Sequence, residues 1–211
     1  ENIYLPKVAL IQEVKEETKD IKRFIMQYED PSFHQDEKSD GQFYEITVFG
    51  VGEIAISIPY SPSLKDRFEF CIKSAGKVTR AIHAMKAGDK VGLRGPFGKG
   101  FPYEAFLGRD VLIMGSGVGL APVRTMILRI LENRKDFGKV EIIGSAVRYE
   151  DLIYKEDLIS WSGFPGVRVH YSLSKPTNIV AAQVGYANDL LPGMGLDWGK
   201  TSAIICASPR R

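Results

Sequence analysis

The chain has 211 residues, 28 basic and 26 acidic side chains and a formal net charge of +2; this suits one large domain or two small ones, and offers no basic stripe for nucleic acid. Its longest uncharged stretches, residues 111–123 and 176–188, fall short of the ~20 apolar residues of a membrane-spanning helix, and Glu1-Asn2-Ile3-Tyr4 carries no basic and apolar leader, so a cytoplasmic protein is the expectation. Two cysteines, Cys71 and Cys206, and three histidines cannot build a disulfide framework, a cysteine-rich zinc site or a four-thiolate cluster, so redox chemistry must use a bound organic cofactor or a partner's metals.

Residues 8–14 and 21–28 read as strands, followed by a charged, turn-rich stretch over 29–41. Further strands are predicted at 42–49, 54–58 and 67–73, the last because Phe68, Phe70 and Ile72 alternate with Glu69, Cys71 and Lys73. Several short strands at close spacing point to a small antiparallel barrel or sandwich. One helix interrupts them at 79–86, bounded by Gly76 and by Gly88-Asp89, with Val78, Ile82 and Met85 on one face. A strand at 90–94 runs into Gly95-Pro96-Phe97-Gly98-Lys99-Gly100, which reads as a linker and ends a first domain at residue 100.

From residue 101 the rhythm changes. A buried-type strand at 111–114 precedes a helix at 122–134, in which Val123, Met126, Ile127, Ile130 and Leu131 share a face. A strand at 140–143, a helix near 151–161, a strand at 167–173, a helical stretch around 180–191 and a strand at 203–206 follow. Strand and helix alternating in this way predict βαβ units on a parallel sheet over 101–211.

The sharpest local signal is Gly115-Ser116-Gly117-Val118-Gly119-Leu120-Ala121-Pro122, between an apolar strand and an amphipathic helix. Glycines let the backbone turn tightly and approach a ligand, the helix N–H groups attract phosphate, and Pro122 costs nothing in a first turn. The spacing is neither the dinucleotide fingerprint G-x-G-x-x-G nor a triphosphate loop ending in Lys-Ser/Thr. A pyrophosphate site is the natural reading; a tight turn with no ligand is the alternative.

These residues resemble the nicotinamide-nucleotide loop of the ferredoxin–NADP reductase superfamily, whose members pair an antiparallel FAD-binding β-barrel with a parallel-sheet α/β nucleotide domain in this order. Gly41-Gln42-Phe43 resembles the family's Pro-Gly-Gln-Phe strand start, with Asp40 in place of the proline. Gly76-Lys77-Val78-Thr79-Arg80-Ala81-Ile82 resembles its second flavin motif, Gly95-Pro96-Phe97-Gly98 its linker turn, and Ile205-Cys206-Ala207-Ser208-Pro209 its Cys-Gly-Pro-Pro segment at the nicotinamide end. Residues 49–58 look most like the gamma subunits of sulfhydrogenases and the B subunit of anaerobic sulfite reductase, with dihydroorotate dehydrogenase electron-transfer subunits close behind.

The resemblance implies an FAD-dependent oxidoreductase that exchanges hydride with NADH or NADPH and passes single electrons to iron–sulfur subunits of a hetero-oligomer. A self-contained reductase, or an assembly module that has lost its flavin, are the alternatives. It implies further that the FAD pyrophosphate rests on Gly76, Lys77, Val78 and Thr79, next to Ile72 and Lys73; a plain helix cap is the other reading of Thr79. In the family, Arg-x-Tyr/Phe-Ser stands where this chain has Ile54-Ala55-Ile56-Ser57. Ser57 is then the hydroxyl near flavin N5 and Ile56 packs on the ring, or Ile54, Ile56 and Ile58 fill the barrel. Ile54 removes the arginine, for which Lys73 or Arg80 could substitute.

Gly115, Gly117, Val118, Gly119, Ala121 and Pro122 would hold the nicotinamide nucleotide, with Cys206 in its nicotinamide pocket or packed as a small hydrophobe. After the strand at 140–143, Ser145 and Arg148 suit a 2′-phosphate, whereas Glu150 and Asp151 suit ribose hydroxyls or serve only as surface charge and caps. No metal site is expected in the chain itself; a [2Fe–2S] cluster is expected only in an absent C-terminal tail, so the chain is either cut short of it or hands electrons directly from flavin to a partner.

Overall fold

The computed structural model describes residues 2, 4–33, 41–58, 67–176, 178 and 182–207, so Asp40, Ser208 and Pro209 lie outside the described residues. The chain divides into two compact units, Glu1–Phe101 and Pro102–Arg211. Among the described residues no helix is long and apolar enough to cross a membrane.

The first unit contains β1 (Lys7–Thr18), β2 (Ile21–Tyr28), β3 (Phe43–Val48), β4 (Gly52–Ser57), β5 (Phe68–Lys73), helix α1 (Lys77–His83) and β6 (Lys90–Phe97). The strands form one antiparallel sheet in the order β4-β3-β6-β1-β2-β5. Its two edge strands, β4 and β5, come into contact, and α1 packs against β3, β4 and β5. Alternate residues of the strands, among them Ile11, Phe24, Met26, Tyr44, Ile46, Phe68, Phe70 and Leu93, meet in one core, with the Tyr44 and Phe68 rings 5.0 Å apart. Ile82 is buried in this core, and Val78 and Met85 pack on it as the helix periodicity predicts.

Two expectations need correction. β5 is not simply alternating: Glu69 and Cys71 are buried along with Phe68, Phe70 and Ile72. The reason is that Arg23, opposite Cys71 on β2, lies over this face, 3.8 Å from Glu69 and ion-paired to Glu17. Nor is Gly95–Gly100 wholly a linker, since β6 continues through Gly95 and Pro96 to Phe97. Phe97 pairs with Phe43, their rings 5.8 Å apart, beside a register shift in β3. A cross-strand aromatic pair at an irregularity thus overrides a local Gly-Pro turn signal.

The second unit contains β7 (Asp110–Ser116), α2 (Leu120–Glu132), β8 (Val140–Ala146), α3 (Lys155–Trp161), β9 (Val167–Leu173), β10 (Ala182–Val184) and β11 (Thr201–Cys206). Its sheet is parallel throughout, in the order β10-β9-β8-β7-β11. The central strands β7 and β8 are buried on both faces, which is why they read as apolar runs rather than alternations. Helix α2 covers β7 and β11 with the predicted stripe of Val123, Met126, Ile127 and Ile130.

The helix expected around residues 180–191 is not there; residues 179–181 lie outside the described residues, and strand β10 is followed by a 3-10 segment, Ala187–Met194. The Gly185 N–H bonds the Leu173 carbonyl at 2.8 Å, committing this backbone to the sheet edge, and Pro192 cannot donate an intrahelical bond. Leu190, Leu191 and Met194 still cover Leu112, Met114 and Ile143, so the apolar spacing reported a covering face rather than an α-helix. Helix α3 starts at Lys155 rather than near Asp151 because Asp151 closes a preceding 3-10 turn, accepting the Arg148 N–H at 3.1 Å.

Candidate functional site

Parallel pairing brings chemistry to the carboxyl edge of the second sheet. Cys206, Gly115, Gly144 and Tyr171 fall in one register row, and Ser116, Ser145 and Ser172 in the next. β7 ends in this edge and turns through a short 3-10 segment, Gly117–Gly119, into α2. Two of its glycines are required for different reasons. Gly119 packs directly on the end of β11: a methyl group there would overlap the Cys206 carbonyl oxygen. Gly117 has φ +54 and no atom within 4 Å of where a side chain would begin, so it leaves room rather than filling it.

No acidic side chain stands in the first turn of α2, whose capping residue is Gly119. Leu120 and Ala121 are buried beneath the turn, while Ser116, Gly117 and Val118 are partly exposed. Such a turn offers N–H groups and a positive helix end to an anion. Cys206 is half-buried, and burial pushes its thiol up, so at neutral pH it is a neutral thiol rather than a thiolate nucleophile.

Beyond β8 the chain forms an open cavity of about 470 Å³ lined by Arg148, Tyr149, Glu150, Pro176 and Asn178. Ser145 lies partly exposed at the strand end leading into this turn. The sequence reading singles out Ser145 and Arg148 but misses Tyr149, Pro176 and Asn178. The last two arrive from the turn after β9, and only sheet pairing brings that turn beside the first: Lys175 N–H bonds the Val147 carbonyl at 3.0 Å. The Tyr149 ring lies 6.4 Å from that of Tyr171.

In the first unit, the Gly76 turn opens α1. Thr79 is buried, and its Oγ1 accepts the N–H groups of Ala75 and Gly76 at 2.9 and 2.8 Å while donating to the Gly76 carbonyl at 3.1 Å. The hydroxyl therefore shapes the turn from within, which is the capping role. The first N–H groups of the helix, at Lys77 and Val78, have no carbonyl four residues back to bond. Arg80 Nη1 donates to the Ala75 carbonyl at 3.3 Å, so this guanidinium stays on the turn. Lys73 instead pairs with Asp20 at 3.2 Å.

Ile72 is fully buried in the core and its carbonyl oxygen lies 2.8 Å from His83 Nε2, so its side chain has no surface to offer a cofactor. Ile54 and Ile56 both pack on the core, Ile56 opposite Tyr44, whereas Ser57 alternates to the other face of β4, opposite Phe43. Ile58 is buried in the same core. The barrel-filling reading of this isoleucine face thus describes its packing.

Two charged clusters went unread because their partners are distant in sequence. Arg124, buried in α2, donates to Asp157 at 2.6 Å and lies over the Tyr154 ring at 4.8 Å, tying α2 to α3. Glu141 on β8 is fully buried and bonds His170 Nε2 at 2.7 Å and Arg168 Nε at 2.8 Å from β9. Burial works to raise the Glu141 carboxyl, but these hydrogen bonds outweigh it and hold the group below its ordinary value.

Residues 113–210 match the family described as oxidoreductase NAD-binding domain. The sulfhydrogenase 1 subunit gamma of Pyrococcus furiosus is 34% identical over 193 residues, covering 90% of this chain and 66% of the relative. The sulfhydrogenase 2 subunit gamma of the same organism is 29% identical over 221 residues, covering 99% and 76%. The chain thus spans about two thirds to three quarters of the length of these relatives. Among solved structures, a ferredoxin NADP+ reductase from Neisseria gonorrhoeae with bound FAD and NADP superposes with a TM-score of 0.77 at 23% identity, covering 94% of this chain and 83% of that one.

Proposed function

This chain carries an oxidoreductase NAD-binding domain and shares the fold of a ferredoxin NADP+ reductase, and from that premise we propose that it is a member of the ferredoxin–NADP reductase superfamily and the flavin-bearing electron-transfer subunit of a larger redox complex. In this reading the first unit binds FAD, the second binds a nicotinamide nucleotide, and electrons taken from the nucleotide leave singly to an iron–sulfur partner subunit. The observation that carries the reading is the turn at Gly115–Pro122: it sits at the carboxyl edge of a parallel sheet, with open space at Gly117 and the end of β11 pressed against Gly119.

FAD, when bound, supplies a hydride-accepting N5 and the ability to release electrons one at a time. The chain's own residues have simpler tasks. When FAD is bound, the Lys77 and Val78 N–H groups would hold its pyrophosphate at a turn that Thr79 keeps in shape, and Arg80, already bonded to that turn, would supply the cationic contact that Ile54 does not. Ser57, on the other face of β4 from the core-packed Ile56, would offer a hydroxyl near flavin N5. Gly117 and Val118 would hold the nucleotide pyrophosphate. Cys206, a neutral thiol, keeps the nicotinamide in place by packing; orientation matters more here than acid–base chemistry.

The test is the visible spectrum of the purified chain with its cofactor identified by mass, followed by anaerobic addition of NADH and NADPH. Flavin absorbance that bleaches on addition supports the reading, and so does co-purification of iron–sulfur subunits from the native source. A colourless protein that cannot be reconstituted with FAD overturns it and leaves a docking scaffold.

A further inference from the structure

We propose that Arg94 and Glu53 are positioning residues for Ser57: their ion pair, reaching across β3, fixes the edge strand β4 and with it the hydroxyl at its end. This rests on the reading of Ser57 as the group beside flavin N5. Strand β4 needs such a device because, among the described residues, its hydrogen-bonded neighbour in the sheet is β3 alone. β3 in turn meets β6 through a register shift between Phe43 and Glu45, where Pro96 has no N–H to give to the ladder. An irregularity of this kind bends a strand and re-aims the side chains beyond it, so the end of β4 needs a second constraint.

The register puts the clamp and the hydroxyl on one face. Glu53, Ala55 and Ser57 alternate along β4, opposite Thr47, Glu45 and Phe43 of β3, and Glu45 and Phe43 stand opposite Arg94 and Phe97 of β6. The Glu53 carboxylate accepts from both prongs of Arg94, Nε lying 3.1 Å from Oε2 and Nη2 bonding Oε1, and from the Thr47 hydroxyl at 2.6 Å. A two-pronged bond of this kind fixes direction as well as distance. Arg94 and Thr47 hold the Glu53 carboxyl below its ordinary value, so the pair stays ionised at neutral pH. Fully exposed pairs contribute little, but the Arg94 side chain is only 18% exposed.

A second arm leads from the clamp back to Ser57. Arg94 is the last residue of β6 paired with β3 before the irregularity, and its guanidinium lies over the Phe97 ring at 5.7 Å. Phe97 is the first pair beyond it; its ring stands 5.8 Å from that of Phe43, and Phe43 pairs with Ser57. Glu53 therefore grips β4 one strand-face step short of Ala55 and two short of Ser57, while Phe97 and Phe43 support the strand at Ser57 itself. Arg94 joins the two arms. The bonds that define the clamp run between strands and leave the Ser57 hydroxyl out, so Arg94 acts on it through the strand.

The experiment is a double-mutant cycle of Arg94→Ala with Ser57→Ala in the purified chain loaded with FAD, together with hydrogen exchange of the β4 peptide in the FAD-free chain. Arg94→Ala is expected to speed exchange in β4 and to slow flavin bleaching at saturating NADH or NADPH by roughly 10-fold, as misplacement of a reacting group does. FAD affinity stays unchanged, which also shows that the variant is folded. Because Arg94 acts through Ser57, its removal costs nothing further in the Ser57→Ala background. Glu53→Gln, which removes the charge and keeps the shape, gives the same pattern. Additive losses in the double variant, β4 exchange unmoved by Arg94→Ala, or FAD affinity falling as far as the rate overturns the inference and leaves the pair a matter of stability. A parent chain that binds no FAD overturns it together with the flavin reading beneath it.

Discussion

The backbone of Gly119 lies against the carbonyl of Cys206, so the glycine turn after β7 and the end of β11 form one packed unit although 86 residues separate them in the chain. A methyl group on Gly119 would collide with that carbonyl, 2.9 Å from its carbon. Gly119→Ala is therefore expected to push the end of β11 aside and to destabilise the chain by roughly 1–3 kcal/mol, as overpacking does. Gly117→Ala meets no protein atom and suffers only the left-handed backbone cost of roughly 1–2 kcal/mol. Its methyl group would instead enter the open space proposed for the nucleotide pyrophosphate. Thermal unfolding with ADP-ribose titration separates the two: Gly119→Ala loses mainly stability, Gly117→Ala mainly affinity. Identical profiles for both would remove this division of roles.

Thr79→Val removes a hydroxyl that serves two N–H groups and one carbonyl in the turn before α1. The expected loss is about 1–2 kcal/mol, with FAD affinity falling alongside as the turn loosens. Thr79→Ser keeps the hydroxyl and should restore most of both. Denaturant unfolding and flavin release by ultrafiltration report the outcome; a Val variant as stable as the parent would show that the turn needs no internal cap.

The Glu141 carboxyl is held below its ordinary value by His170 and Arg168 against the opposing effect of burial. A group whose value is depressed on folding stabilises the protein above its unfolded value and ceases to do so as pH falls through the folded one. Glu141 thus contributes at neutral pH, and its contribution fades from about pH 4 downward. Urea midpoints measured from pH 7 to pH 3 should fall less steeply on the acid side in Glu141→Gln, which starts from a lower midpoint at pH 7. Parallel curves for the two proteins would deny Glu141 this role.

Burial raises the Cys206 thiol. Alkylation at this residue, followed by mass spectrometry of its peptide, is expected to be slow at pH 7 and to accelerate only above the ~8.5 of a free thiol. Bound nucleotide should slow it further. Rapid labelling at pH 7 would mean an activated thiolate, contrary to a packing role.

The order of the two architectures was readable before any fold was known, because strand alternation and helix periodicity are local records of which side faces a core. The stripe from Val123 to Ile130 was legible for that reason, and the glycine turn before it because its glycines stand between an apolar strand and that helix. Where the two disagree, a distant partner decided. Phe43 carried β6 through a Gly-Pro turn, and Arg23 made Glu69 and Cys71 interior. The edge pairing of Gly185 with Leu173 turned an expected helix into a strand and a 3-10 segment. Asp151, read as a ribose ligand or as surface charge and a cap, caps the turn by accepting the Arg148 N–H. Patterning specifies which face is buried; which polar group is already spent, and which remains for a ligand, depends on contacts that exist only when strands far apart in the chain lie side by side.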